Sequence, residues 1–251
     1  MLYNERKELV LQQLQLKGTV KVTELASQLG VSLDTVRRDL KALEQEGQIK
    51  CVHGGACLPD ALLAFSNFSG REIINIKEKR LAAVKAMSYV KNGMLLALNS
   101  GTTNVIIAQE LIKRFSDLTV VTNNLAAATV LIQQPSIKTI FIGGQLDCLE
   151  HSTYGSSCEA ELNSYFPDLC FLSINSVDAE VGYTDFRLAE IGVIRQLTEN
   201  SGEVIAVMDS SKLDRRSRQV VVPPVQIDKL VMDRVSAEVK RRYARLGINI
   251  E

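Results

Sequence analysis

The chain has 251 residues, 46% apolar and 23% charged with no tryptophan, so it can bury one large core or two smaller ones as an ordinary globular protein. Lysines and arginines (29) balance the acidic side chains (29), which leaves no global field to draw in a polyanion or a polycation. The charged start MLYNERKELV does not read as a signal peptide, and no run of eighteen apolar residues argues for a membrane span.

In chain order, residues 5–16 predict a helix with Leu9, Leu14 and Leu16 among its apolar positions, stopped by Gly18. TVKVTELASQLG predicts a second helix, with Thr23 at its N-cap and Leu25, Ala26 and Leu29 buried. Gly30 turns the chain, and Ser32 caps a third helix in which Leu33, Val36, Leu40 and Leu43 form one buried stripe. Asp34, Arg38 and Lys41 then lie on the opposite face, with Thr35 and Arg37 on its flanks. No strong strand is expected before IKCV near residue 50. Two short helices joined at a glycine, the second with a polar and basic outer face, have the form of a major-groove reader. Arginine suits guanine edges and phosphates alike. A merely solvated face accounts for the charge equally well, because residues 1–57 hold eight basic and seven acidic side chains.

Residues 58–76, LPDALLAFSNFSGREIINI, read as a linker. From Lys77 onward helices and strands alternate: a helix running to Gly93, the strand MLLAL, a helix from Thr102 to Phe115, LTVVT, the helix NLAAATVLIQ and IKTIFIG. Further strands are LCFLSI, EVIAVMD, the VVV before Pro223 and KLVMD. Further helices are expected over 158–165, 188–200 and 236–246. Near-continuous Val, Ile and Leu strands between helices mean a mostly parallel sheet covered on both faces. The organisation is therefore 1–57, a linker over 58–76, and 77–251. Five scattered cysteines (Cys51, Cys57, Cys148, Cys158 and Cys170) suggest reduced thiols in cytoplasm.

Residues 22–56, VTELASQLGVSLDTVRRDLKALEQEGQIKCVHGGA, closely resemble the winged helix-turn-helix of the DeoR family of bacterial transcriptional regulators. The matching features are Leu25 and Ala26, Val31 and Ser32, the run TVRRDL at 35–40, Leu43, Gly47 and the wing His53, Gly54, Gly55 and Ala56. The resemblance implies operator DNA as partner. Ser32, Asp34, Thr35, Arg37, Arg38 and Lys41 would lie on the recognition helix, with His53, Gly54 and Gly55 at the wing. One departure is Cys51, where the family commonly has arginine.

The remainder, from about Arg71, resembles the effector domain of the same family, similar in fold to ribose phosphate isomerase and the CoA transferases. Its landmarks are Glu78 and Lys79, the turn Asn99, Ser100, Gly101, Thr102 and Thr103, then Thr122, Asn123 and Asn124, then Gly143 and Gly144, Gly182, Glu190, and the tetrad ending at Lys212. That implies a phosphorylated sugar as effector, a homodimer or higher homo-oligomer, no cofactor and no membrane. The residue types agree with it. Gly101 lets backbone approach a ligand, the amides and hydroxyls of Thr102 and Thr103 start a helix, and Lys212 can bring positive charge to the same sheet edge. Asn123 and Asn124 end the next strand, where open α/β sheets bind ligands. The departures are Asn99, often aspartate in the family, and Ile194, often lysine.

Fold alone does not imply catalysis. Asp178, Glu180 and Asp185 in NSVDAEVGYTD are the nearest general-base candidates, and Asp178 is also expected to face the effector. No histidine or lysine is paired with them by motif. His151 lies between Cys148 and Cys158, but a structural metal site needs four ligands at paired spacing, so no metal is expected. The alternatives kept open are an active sugar phosphate isomerase or deaminase with a DNA-binding appendage, and a regulator whose larger domain only oligomerises.

Overall fold

A computed structural model describes residues 2–58 and 68–251, and the chain divides into two compact units, Met1–Ile76 and Lys77–Glu251. The first unit runs α1 (Tyr3–Lys17), β1 (Thr19–Lys21), α2 (Val22–Leu29), α3 (Leu33–Gln45), β2 (Lys50–Val52), β3 (Gly55–Cys57) and α4 (Phe68–Glu72). Val10, Leu14, Val20, Leu25, Val36, Leu40, Leu43, Ile49 and Ala56 form its core. Ser32 caps α3 as expected, its hydroxyl accepting from the Thr35 amide at 3.2 Å.

Three expectations need correction here. Leu9, among the apolar positions expected in α1, is 39% exposed, and the adjacent Val10 is buried in line with Leu14; the side chain of Leu16 lies outside the described residues. Leu33, at the first position of α3, is 41% exposed, and Asp39 fills the stripe instead. Asp39 is buried because Arg6 of α1 meets both its oxygens, at 2.7 and 3.1 Å. Thr23 is not a cap: α2 follows β1 directly, with Lys21 at the cap position and no side-chain cap.

β1 was too short to show alternation in the sequence. It pairs antiparallel with β3, which pairs antiparallel with β2, so the wing is a three-stranded sheet. The β1–β3 approach is very close at Gly55. A Cβ there would stand 2.0 Å from the Val20 carbonyl oxygen and 2.6 Å from Ile73 Cδ1. Of the expected linker, residues 59–67 lie outside the described residues. The rest is structured: α4 is joined to β1 by an ion pair of Lys21 with Glu72 at 2.8 Å.

Beyond α5 (Ile76–Ala86) come β4 (Leu95–Leu98), α6 (Thr102–Arg114), β5 (Leu118–Thr122), α7 (Leu125–Leu131), β6 (Ile137–Phe141), β7 (Gln145–Asp147), β8 (Ser152–Tyr154), α8 (Ser156–Leu162) and β9 (Leu169–Leu172). There follow β10 (Ser176–Asp178), β11 (Gly182–Asp185), α9 (Ile191–Asn200), β12 (Glu203–Met208), β13 (Gln219–Val220), β14 (Lys229–Met232) and α10 (Ala237–Ala244). Six strands form one parallel sheet in the order β14-β12-β9-β4-β5-β6. Both faces are buried. Ala97, Cys170, Leu172, Ala206 and Met208 join Leu162, Val193 and Leu197 in one core cluster. The alternate residues Leu96, Leu98, Phe171, Ile205 and Val207 are fully buried on the other face.

The sequence did not reveal the antiparallel pair β7–β8 or the small sheet β10-β11-β13. The strand expected at VVV is instead β13, which pairs with β11, while Val221 and Val222 sink into the core. The helix expected to reach Gly93 ends at Ala86 in a 3₁₀ turn, and the one expected from Leu188 begins at Ile191 after another.

Candidate functional site

On α3, Ser32, Asp34, Arg37, Arg38 and Lys41 are exposed and Thr35 is half-buried, so the outward face holds the residues expected on it. They are not equivalent. Arg37 is tied to Asp34 one turn back at 3.0 Å, whereas Arg38 makes no ion pair among the described residues. At the wing tip His53 and Gly54 are exposed, Gly54 with φ of +83°. Gly55 is buried between strands, so the structure gives it a packing place rather than an outward one. Cys51 turns inward: its amide donates to Glu44 at 2.7 Å, its thiol points to the Leu40 carbonyl, and burial pushes that thiol up to about 11.

In the larger unit the chain passes from β4 outward to β5 and β6, then returns to β9 and runs the other way to β12 and β14. The order reverses between β4 and β9, and in such sheets ligands bind beyond the carboxyl ends of the strands at that switch point. Asn99, Ser100 and Gly101 leave β4 there, and Ser173 leaves β9. Gly101 has φ of +122° and supplies no side-chain cap to α6, so among the described residues the first amides of that helix have neither an intrahelical acceptor nor a capping side chain. A Cβ at Gly101 would meet Ser173 Oγ at 2.5 Å. Lys79, buried on α5, donates to the Thr102 hydroxyl at 3.0 Å. The Thr103 hydroxyl and Asn123 Oδ1 are buried with no hydrogen-bond partner.

Several expected ligand groups form the frame of this cradle. Asn99 Nδ2 donates to the Ser173 carbonyl at 3.1 Å, and its Oδ1 accepts from the Ser173 amide at 2.7 Å and from Asn104 at 2.8 Å. An aspartate could not make the first of these bonds. Thr122 donates to the Leu98 carbonyl, and Asn124 caps α7 while donating to the Gly101 carbonyl at 3.1 Å. Asn123 donates to Glu190 at 3.1 Å, and Ser152 donates to the same carboxylate at 2.5 Å. Lys212 donates to the Ile174 carbonyl at 2.8 Å, beyond the end of β9.

Three expected residues are occupied elsewhere. Gly143 receives the Glu161 carboxylate at its amide (3.2 Å), and Gly144 lets the chain pass Tyr154 and Cys158 of β8 and α8. Asp178 closes the β10–β11 turn on the Glu180 and Val181 amides and pairs with Arg216 at 3.1 Å. Ile194 is fully buried in the apolar core. The thiol of Cys158 bonds to the Thr153 carbonyl, and no group of three or more His, Cys, Asp or Glu among the described residues is placed to hold a metal ion. Motif reading missed Arg187, whose guanidinium joins Asp185, Ser100 and Ser173.

Two buried carboxylates in this region shift in opposite directions. Burial alone would raise Asp185, but the adjoining Arg187 guanidinium and the charge of Lys212 outweigh it and hold the carboxyl below its ordinary range. At Glu190 burial prevails over Arg187, Ser152 and Asn123, and the carboxyl is raised above 4.5. A raised acid stabilises the fold below its unfolded pKa and loses that contribution as pH rises through the folded value. Glu190→Gln removes this term. Its melting temperature relative to the parent should therefore climb over the range above about pH 4. Parallel melting curves across that range would count against a raised Glu190.

The family model described as the DeoR C terminal sensor domain matches residues 74–234, and that of the DeoR-like helix-turn-helix domain matches residues 6–61. The chain belongs to the DeoR family. This DeoR-family chain is 33% identical over 248 residues to the HTH-type transcriptional regulator GolR of Listeria innocua, covering 98% of this chain and 97% of the relative. It is 32% identical over 210 residues to the glycerol-3-phosphate regulon repressor of Escherichia coli, covering 84% and 81%. Among solved structures, ribose 5-phosphate isomerase A of Methanocaldococcus jannaschii aligns at TM-score 0.42 and 19% identity, covering 55% of each chain. The sorbitol operon regulator SorC of Klebsiella pneumoniae aligns at 0.36 and 11%, covering 83% and 90%. At those scores neither likeness bears on function. As a DeoR-family member the chain is a helix-turn-helix transcriptional regulator with operator DNA as its partner, and these curated relatives are named as regulators, not enzymes. Among the described residues no helix is long and apolar enough to cross a membrane.

Proposed function

We propose that the chain represses a carbohydrate operon and is released from its operator by a phosphorylated sugar or related metabolite bound beyond β4. The observation behind this is the open first turn of α6: Gly101 at φ +122°, no side-chain cap, the Thr103 hydroxyl buried without a partner, and Lys79 on Thr102. Unpaired amides and the helix dipole favour an anion there, and a cation beside them adds to the attraction. A curated relative named as the glycerol-3-phosphate regulon repressor supports a phosphorylated effector. The protein acts as a symmetric homo-oligomer, since one small helix-turn-helix reads a single half-site and two-fold operators pair two of them. Release requires that the effector bind the free and DNA-bound arrangements with different affinity.

The test is operator binding by the purified protein at two salt concentrations, titrated with sugar phosphates and their unphosphorylated counterparts. Release by a phosphorylated sugar but not by its parent sugar is expected. Binding that no phosphorylated compound alters would leave the larger unit as an oligomerisation domain, and turnover of a sugar phosphate would make it an enzyme. Lys212→Ala should bind operator as the parent does while needing about tenfold more effector or more, the loss expected for one charge-assisted contact. An unchanged effector midpoint would remove Lys212 from the site.

A further inference from the structure

Arg187 sits where a phosphate ligand would be looked for, yet all five of its N–H groups are committed within the protein. Nε donates to Asp185 Oδ1 at 3.0 Å, and Nη2 donates to Asp185 Oδ2 at 2.7 Å and to the Ser173 carbonyl at 2.8 Å. Nη1 donates to the Ser100 carbonyl at 3.1 Å and to its hydroxyl at 2.7 Å. An arginine that takes up phosphate presents a free fork of parallel donors. Here the fork is closed on Asp185, whose oxygens are in turn fixed by the Asn175 and Arg187 amides at 3.0 and 2.9 Å. The pair is buried and its charges cancel.

What Arg187 touches defines what it does. Ser100 follows β4 and Ser173 follows β9, the two strands between which the sheet order reverses, so one planar group spans the switch point. Its Nη1 also stands 3.3 Å from where a Cβ on Gly101 would be, packed against the residue that starts α6. We infer that Arg187, held by Asp185, is a positioning residue and not an anion ligand: it fixes the Ser100–Gly101 turn against Ser173 so that the first amides of α6 stay open. This rests on the proposed anion site. In that site the α6 amides, the Thr103 hydroxyl and Lys79 meet the phosphate, and the Arg187 charge does not.

Two variants separate the roles by sign. Asp185→Asn keeps the shape of the pair but removes the neutralising carboxylate and loosens the fork. A positioning Arg187 predicts that inorganic phosphate, used as the probe in calorimetry, binds about tenfold more weakly or worse. A ligand Arg187, newly freed, predicts tighter binding. Arg187→Lys keeps the charge and loses the fork, and it should weaken phosphate as much as Asp185→Asn does. Amide hydrogen exchange over residues 102–104 of the free protein needs no ligand. It should speed up in both variants relative to α9, which serves as the internal reference for general loosening. Tighter phosphate binding by Asp185→Asn, or unchanged exchange at the start of α6 in both variants, would overturn the inference. If the parent binds no phosphate while exchange responds to both substitutions, the anion site falls and the positioning role stands.

Discussion

Arg38→Ala is expected to lower operator affinity by roughly 10- to 100-fold for each recognition helix, corresponding to about 1–3 kcal/mol for a bidentate base contact. In a symmetric dimer the loss doubles in free energy, enough to abolish binding at working concentrations. Stability should stay within about 0.5 kcal/mol of the parent, because Arg38 is exposed and makes no ion pair among the described residues. Arg37 differs, being held by Asp34, so the same truncation there should cost less. Lys41→Ala should weaken all sequences alike and flatten the salt dependence by about one unit of slope, the signature of a phosphate contact. Gel-shift or anisotropy titrations on operator and scrambled DNA at several salt concentrations separate the three. Operator binding by Arg38→Ala as tight as the parent's would show that α3 is not the reading helix.

Gly55→Ala should be the most damaging single methyl in the first unit, costing at least about 3 kcal/mol. The new Cβ would stand 2.0 Å from the Val20 carbonyl oxygen, a backbone atom that cannot swing aside, and 2.6 Å from Ile73 Cδ1. Relief requires β1 and β3 to part, which breaks the pairing of Thr19, Val20 and Lys21 with Cys57, Ala56 and Gly55. The neighbouring Gly54 has open space around it, and Gly54→Ala meets only the unfavourable φ of +83°, worth about 1–2 kcal/mol. Calorimetric melting of the two variants should show an early transition for Gly55→Ala, with loss of operator binding, and a modest shift for Gly54→Ala. A parent-like melt for Gly55→Ala would mean that the wing sheet is looser than its packing indicates.

Much of this architecture was legible locally. The outward face of α3 and its Ser32 cap follow from spacing, and the parallel strands show as continuous Val, Ile and Leu runs. The turn at 99–103 was visible because glycine and hydroxyl residues at the end of an apolar strand have few other uses. What local pattern could not reach was set by distant partners. Val10, not Leu9, is buried, and Asp39 enters the core only because Arg6 arrives from another helix, 33 residues away in sequence. Arg187 reads as an ordinary charged residue in FRLAE until Ser100, 87 residues earlier, is brought beside it by the sheet order. Asn99 looked like a ligand because its amide is versatile, and the structure gives both ends of that amide to Ser173. Strands of two or three residues, such as β1 and β13, are too short for any period to register.

The piece of chain from Phe68 to Ile73 has a consequence for how modular this regulator is. Composition changes near residue 57 and the helix-turn-helix family match stops at residue 61, so either looks like the natural seam for grafting one member's DNA-reading head onto another's sensor. Yet Glu72 grips Lys21, and Ile73 lies against Gly55, both across from strands that come far earlier in the chain. A chimera joined at either point would pair one parent's wing with the other parent's clasp. The exchangeable head extends to Ile76, and the residues that close it are those a domain swapper would leave behind.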